Sequence, residues 1–282
     1  MKISSIYFLY ILVALLSLTS CESTDEPEID TTPLVVEGWI EDGGNPVVTV
    51  AHAIELKEGK IDTDDYVEKW CRVSVYDGDT RYLLNGHIDR NYTTAFIYTT
   101  SRLRGEAGHT YRLLVESVND TVEAVSIIHT GASIASLRAE KADGQSDAYM
   151  LKAHFKNIEP DGMYKIFVRV DGRDKIYHGS FMGTFRGSDY DAENGYTVTV
   201  ANNSTYDEDD FTHYFYPGER VYVKICALDR PVYDFWKTYE SSVSMSGNLF
   251  FTFAQNCPTN IEGGLGYWAA YGTSVSFITI PE

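Results

Sequence analysis

Hydrophobic and polar residues alternate along this chain in short runs broken by Gly, Asp and Asn, and a period of two is that of half-buried strands. In the first half the runs fall at 34–40, 46–51, 70–76, 81–84, 93–99, 110–117 and 122–128. Asp42-Gly43-Gly44-Asn45 and Tyr76-Asp77-Gly78-Asp79 supply turns between neighbours, because Gly, Asp and Asn accept the backbone angles that tight turns demand. That density of short strands suits an immunoglobulin-like sandwich. Gly105 to Tyr111 reads as a tight corner feeding a strand whose Tyr111, Leu113 and Val115 share a face. Longer runs follow at 148–156, 163–171, 175–185, 196–202 and 220–229, and 267–271 and 275–280 read as two closing strands. One stretch breaks the period. Pro231 suits a first helical turn, and Val232, Phe235, Trp236, Tyr239 and Val243 recur at helical spacing up to Ser246-Gly247, a stripe read as core packing. The expectation is an all-β protein of two β-sandwich domains, 34–130 (immunoglobulin-like) and 133–282, with one short amphipathic helix in the second.

The first residues follow a different pattern. A positive charge at Lys2 precedes an uninterrupted apolar run from Ile6 to Leu16, too short to span a bilayer, and the run ends in Leu18-Thr19-Ser20-Cys21. Charge and apolar layout are those of a signal peptide at 1–20. The residues before Cys21 resemble the lipobox of bacterial lipoproteins, which implies cleavage there and acylation of the Cys21 sulfur. Several acyl chains on one residue give stable anchoring, at about 0.8 kcal/mol per buried CH₂. Residues 21–33 begin with Glu22-Ser23-Thr24-Asp25-Glu26-Pro27-Glu28, acidic and with nothing to pack, and read as a tether. This stretch also resembles the acidic export signal of surface-exposed lipoproteins of Bacteroidetes. The implied address is the outer membrane, lipid-anchored and facing the cell exterior, with a periplasmic tether as the plainer reading of the same residues.

Composition narrows the partners. Against 41 Asp and Glu stand only 23 Lys and Arg, a formal charge of −18 that disfavours nucleic acid, whose phosphates need clustered cations. Cys71, Cys226 and Cys257 remain after Cys21 in a compartment that permits disulfides, and Cys226 with Cys257 is the candidate pair. Cys71 alternates with Val73 and Val75, as a small core residue would. The sequence has no CxxC, nucleophile elbow, His-Glu-x-x-His or phosphate loop. No catalytic residue is assigned and no enzymatic activity is expected. Two acidic loops invite Ca²⁺, which prefers several carboxylate and carbonyl oxygens. One holds Asp189 and Asp191 and begins like an EF-hand loop, yet places Asn194 at the glycine position and Val200 at the bidentate glutamate position. The other holds Asp207 and Asp209. Solvated loops are the plainer reading of both, so no cofactor is expected, with calcium at these loops as the sole candidate.

Several segments taken in order carry a family resemblance: Leu34-Val35-Val36-Glu37-Gly38-Trp39-Ile40, Val73 to Gly78, Gly108-His109-Thr110-Tyr111, Asp229 through Trp236, and Asn260-Ile261-Glu262-Gly263-Gly264-Leu265-Gly266-Tyr267-Trp268. They resemble Bacteroidetes lipoproteins grouped as domain of unknown function 4249, over nearly the whole chain. Such lipoproteins are often encoded beside TonB-dependent transporters, so the resemblance implies a non-catalytic binding or accessory role in nutrient uptake, with a transporter as partner and a ligand still to be named. Trp39, Trp268 and Tyr271 are the candidate ligand contacts. A lipidated structural or adhesive subunit, assembled like a fimbria by strand exchange, is the alternative.

Overall fold

The computed structural model describes residues 32–53, 63–190, 195–205, 211–246 and 257–282. The leader, Cys21, most of the acidic tether, Asp191, Asp207 and Asp209 lie outside these residues.

The expected runs become strands with small shifts at their ends. The first half gives β1 (Leu34–Glu41), β2 (Val47–His52), β3 (Arg72–Asp77), β4 (Thr80–Leu83), β5 (Asn85–Ile88), β6 (Phe96–Thr99), β7 (Thr110–Glu116) and β8 (Thr121–Ile127). The second gives β9 (Ser133–Lys141), β10 (Tyr149–Lys156), β11 (Met163–Val170), β12 (His178–Arg186), β13 (Tyr196–Val200), β14 (Ser204–Thr205), β15 (Phe211–Thr212), β16 (Arg220–Leu228), the helix α1 (Arg230–Ser246) and β17 (Leu265–Thr279). Strands β5, β9 and the two-residue β14 and β15 have no counterpart among the sequence runs. Strands β5 and β9 are largely exposed, so neither shows a clean apolar face. The fold is all-β and sandwich-like, as expected.

The two halves are not separate sandwiches. A single eight-stranded sheet runs through both in the order β12-β11-β16-β17-β1-β2-β6-β5, and residues 32–282 cluster as one compact unit. The joint is β17. Its first half pairs parallel with β1, from Val35↔Leu265 to Glu41↔Tyr271. Its second half pairs antiparallel with β16, from Ala227↔Gly272 to Arg220↔Thr279. The two strands expected at 267–271 and 275–280 are therefore one, and what reads as a break is the exchange of partners at Gly272. A Cβ at Gly272 would fall inside the contact distance of the His129 carbonyl oxygen, where the 129–131 segment crosses the strand.

One face of this sheet carries two apolar cores. Strands β3, β7 and β8 pack over Val36, Ile40, Val48, Val50, Trp268 and Ala270, while β10 and β13 pack over Ile166, Val168, Val221, Val223 and Ile225. Each core has its own tyrosine corner: the Tyr111 hydroxyl accepts the Glu106 N–H at 2.8 Å and the Tyr164 hydroxyl accepts the Glu159 N–H at 2.9 Å. The sandwich character read from the sequence is real, doubled upon a shared layer.

The C-terminal glycine stretch sets the start of β17. Gly266 sits at φ +96°, a region that L side chains rarely adopt, and a Cβ there would collide with the Val36 carbonyl oxygen. Asn260 then holds the strand from both sides, its Oδ1 accepting the Trp268 N–H at 2.9 Å and its Nδ2 donating to the Trp268 carbonyl at 2.7 Å.

Replacing Gly272 by Ala is expected to destabilise the fold by about 3 kcal/mol, since backbone must move to admit the methyl group. Gly43→Ala, at φ +73° with open space around it, is expected to cost only the backbone strain of about 1 kcal/mol. Urea denaturation of both variants checks the contrast.

Candidate functional site

The other face of the large sheet is not simply solvated. Along β1 the inward residues alternate with Glu37, Trp39 and Glu41, along β11 with Lys165, Phe167 and Arg169, and along β17 with Tyr267 and Tyr271. In an ordinary sandwich such a row would face water. Here α1 and the segment leading into β12 cover it, and they enclose a cavity of about 940 Å³. That volume lies near the top of the roughly 300–1,000 Å³ typical of small-molecule sites.

Helix α1 is positioned by its cap. The Asp229 carboxylate accepts the Val232 N–H at 3.3 Å and the Ser126 hydroxyl at 2.6 Å, and Ser126 Oγ in turn accepts the Ala270 N–H at 2.8 Å. These bonds tie the helix start to β8 and β17. Val232, Phe235 and Trp236 then pack on Phe167, Tyr267 and Ala269. The apolar stripe of the helix is core, as its spacing implies, and Trp236 and Tyr239 at its cavity edge are also wall. Val243 belongs to the stripe by sequence, and its side chain lies outside the described residues.

Charge inside the cavity is arranged in closed pairs. Lys165 donates to Glu240 with both side chains almost wholly buried. The same carboxylate accepts the Thr184 hydroxyl at 2.8 Å and the Thr184 N–H at 3.3 Å, and Lys165 also donates to the Ser180 carbonyl at 3.2 Å. Burial pulls the Lys165 ammonium below the usual lysine range, and the Glu240 charge offsets part of that fall. Lys224 pairs with Glu41 across 183 positions of sequence, linking β16 to β1 over β17. Its Nζ also lies 4.3 Å from the Tyr177 ring centroid. Arg169 stacks on Tyr222 at 4.4 Å. Glu37 accepts the Tyr267 hydroxyl at 2.8 Å, and burial raises its pKa above the usual carboxylate value, with the Tyr267 bond acting in the opposite direction. At the far wall Trp236 Nε1 donates to the Tyr271 hydroxyl at 3.1 Å. Toward the open side Trp39 and Tyr92 form a tilted, half-buried pair with centroids 6.0 Å apart.

Two of the three expected ligand contacts, Trp39 and Tyr271, line this cavity. Trp268 does not. It is the largest fully buried side chain and lies on the opposite face, its Nε1 donating to the Tyr111 carbonyl at 3.0 Å, because neighbouring strand residues point to opposite sides. The candidate disulfide is also corrected. Cys226 and Cys257 are free thiols buried in the aromatic cluster beneath α1. Burial pushes the Cys257 thiol up to about 11 and Cys226 further, so both behave as small apolar residues. Cys71 packs at the edge of the first core, its thiol pushed up to about 12 by burial and by the nearby Glu68. Asp189, offered as a calcium ligand, instead caps a short 3₁₀ turn by accepting the Arg186 N–H at 2.8 Å. Among the described residues no cluster of three His, Cys, Asp or Glu side chains is placed to hold a metal.

The residues that sequence reasoning missed are Glu37, Glu41, Lys165, Lys224 and Glu240. Their signal was present for the strands: a charge at every second or fourth position between aromatic or β-branched neighbours, as in Tyr164-Lys165-Ile166 and Val223-Lys224-Ile225. That pattern ordinarily marks a wet face, and nothing local announces that a helix will close over it.

Lys165→Met leaves Glu240 buried without its cation, and a loss of about 3–5 kcal/mol in unfolding free energy is expected. The double variant Lys165→Met/Glu240→Gln keeps an acceptor for Thr184 and should recover most of that loss by the same measurement. For Glu37 the sign is opposite to that of an ordinary paired carboxylate. Above the unfolded value of 4.5 the unfolded chain releases a proton that the native state keeps, so stability falls as pH rises toward the raised native value. Glu37→Gln should remove that slope, and denaturation curves from acid to neutral pH, compared between wild type and variant, would show it.

A search of curated proteins finds no match to this chain. Residues 22–276 match the sequence family described as Domain of unknown function (DUF4249). With nearly its entire length covered, from the acidic segment after Cys21 through most of β17, the chain belongs to that family.

Proposed function

We propose that the protein is the non-catalytic binding component of a nutrient-uptake system, a Bacteroidetes lipoprotein acylated at Cys21. Held at the outer membrane and facing the exterior, it takes a small molecule into the cavity and presents it to a TonB-dependent transporter. The observation that carries this reading is the cavity itself. Its walls are aromatic, its polar groups are fixed by partners, and both halves of the chain build it. A rigid, preformed pocket of this kind limits the ordering cost of binding.

Non-catalysis is supported by the same geometry. Glu37, on β1, is bonded to the Tyr267 hydroxyl rather than to a second carboxyl group. Glu41 and Glu240 each spend their charge on a lysine. The adhesive alternative asks for an N-terminal strand that can be exchanged between subunits. Because β1 is flanked by both β17 and β2, its removal would split the large sheet, and this favours binding over strand exchange.

Val47 lines the cavity from β2 without taking part in its charge pairs. Val47→Trp is expected to fill the space, leave folding intact and abolish the thermal stabilisation that a small-molecule library gives the wild type. Affinity capture of the intact lipoprotein from outer membranes should bring a TonB-dependent transporter with it. A ladder of its own polymers, together with equal responses of wild type and Val47→Trp to the library, would overturn the proposal.

A further inference from the structure

The chemistry of the cavity narrows the class of its ligand, an inference that rests on the cavity being a binding site. Its charges cancel locally. Lys165 is held by Glu240 and Lys224 by Glu41. Arg169 lies 3.6 Å from Asp171 and is stacked on aromatic rings. At the rim Asp89 and Lys175 bring opposite signs. Glu37 and Asp89 are lining carboxylates without a cation among their hydrogen-bond partners: Asp89 accepts from Asn91, and Glu37 accepts the Tyr267 hydroxyl while burial raises its pKa. A ligand with net charge would lose hydration on entering and find the inner lysines and their carboxylates already engaged with one another. An apolar ligand would strip water from the exposed sides of the ion pairs and give no hydrogen bond in return.

The remaining surface has a definite character. Aromatic surface stands toward the opening as the Trp39–Tyr92 pair, while deeper in the cavity Tyr271 lines the wall beside the Phe167 and Trp236 rings, which carry Lys165 and Lys224 over them. Between them lie groups able to donate, accept or both, including Thr49, His178 and the hydroxyl of Tyr177. Flat faces of C–H groups bounded by edges of hydroxyls fit such a space: the faces rest on the rings, and the edges meet polar groups already oriented by their own partners. The volume of about 940 Å³ exceeds the needs of one small ring. We propose that the cavity binds an uncharged polyhydroxylated ring ligand, a neutral saccharide of more than one sugar unit.

The test is isothermal calorimetry of the full chain in detergent, at neutral pH, against a panel of neutral di- and trisaccharides. Matched oligosaccharides in which one unit is a uronic acid or an amino sugar, and a medium-chain alcohol as apolar probe, complete the panel. At least one neutral saccharide should bind, and its charged analogues should bind more than about tenfold more weakly. Glu37→Gln, which keeps an oxygen to accept the Tyr267 hydroxyl, should retain affinity for the neutral saccharide within about threefold. The paired change Glu41→Gln/Lys224→Met should likewise preserve the preference for the neutral analogue. Trp39→Ala should weaken binding by about tenfold or more through loss of the stacking face. An anionic ligand would instead gain from Glu37→Gln, and a cationic one would lose. Tighter binding of a charged analogue or of the alcohol, abolished by Val47→Trp, would overturn the saccharide assignment and leave the binding site standing. Failure of every compound to bind in a manner that Val47→Trp abolishes would overturn both.

Discussion

Strand β17 must satisfy two different neighbours with one backbone, and the rest of the structure depends on that. Over Leu265–Tyr271 its hydrogen-bonding groups serve β1, and over Gly272–Thr279 they serve β16. A strand that changes partner midway has to pass the chain segment crossing at 129–131, and only a residue without a side chain passes so close to the His129 carbonyl. Glycine ordinarily weakens a strand through its entropy, by roughly 0.5–1 kcal/mol relative to Ala. The weakness is accepted here because the alternative is steric exclusion. The same logic holds at Gly266, where the strand begins against Val36, and the bonds of Asn260 to Trp268 on either side fix the register from there onward.

Continuity of the sheet explains why polar residues survive in its middle. A two-faced sheet with apolar cores on one side has a second face, and in the centre that face cannot be dry and apolar throughout without becoming a third core. Under α1 it does become one, around Phe167, Phe235 and Trp236. Beside the helix the face stays open as a cavity, and its buried lysines are tolerated because each is paired with a carboxylate. Lys165 and Glu240 illustrate the requirement. In isolation either would cost several kcal/mol to bury, but Ser180, Thr184 and the Trp236 face surround the pair with hydrogen bonds and a cation–π contact, Lys165 Nζ lying 4.9 Å from the ring centroid. Such a pair contributes little net stability over an apolar substitute. It contributes a polar wall whose donors and acceptors are already held in place by one another.

Strand positions, the corner at Tyr111, the helix and its apolar stripe were legible in the sequence, because each rests on local periodicity and turn chemistry. What was not legible was long-range. Alternation places Trp268 and Tyr271 on opposite faces of one strand, and the sequence contains that fact. It does not say which face is core, since both carry large aromatics. The two-domain reading failed for a related reason: a glycine inside an apolar run looks the same whether it ends a strand or lets another segment cross it. Cys226 and Cys257 lie in one aromatic cluster as free thiols, so the expected bond between them is absent. Glu37 and Glu41 looked like solvated positions because the helix that covers this face comes nearly two hundred residues later.

These observations bear on why the chain folds as a unit rather than as two hinged sandwiches. One wall of the cavity comes from β1, β2 and β6, the other from β11, β12 and α1, and the Glu41–Lys224 pair joins them over β17. A hinge between the halves would have to open hydrogen bonds in the middle of the sheet, break that pair and expose two unpaired charges. The motion open to the site is therefore local, at the rim formed by the turn carrying Tyr92 and by the approach to β12. The topology permits small adjustments of the rim loops around the sheet and does not permit closure of one half upon the other. The strand that reads as two pieces in the sequence is what joins the two walls of the cavity in one sheet.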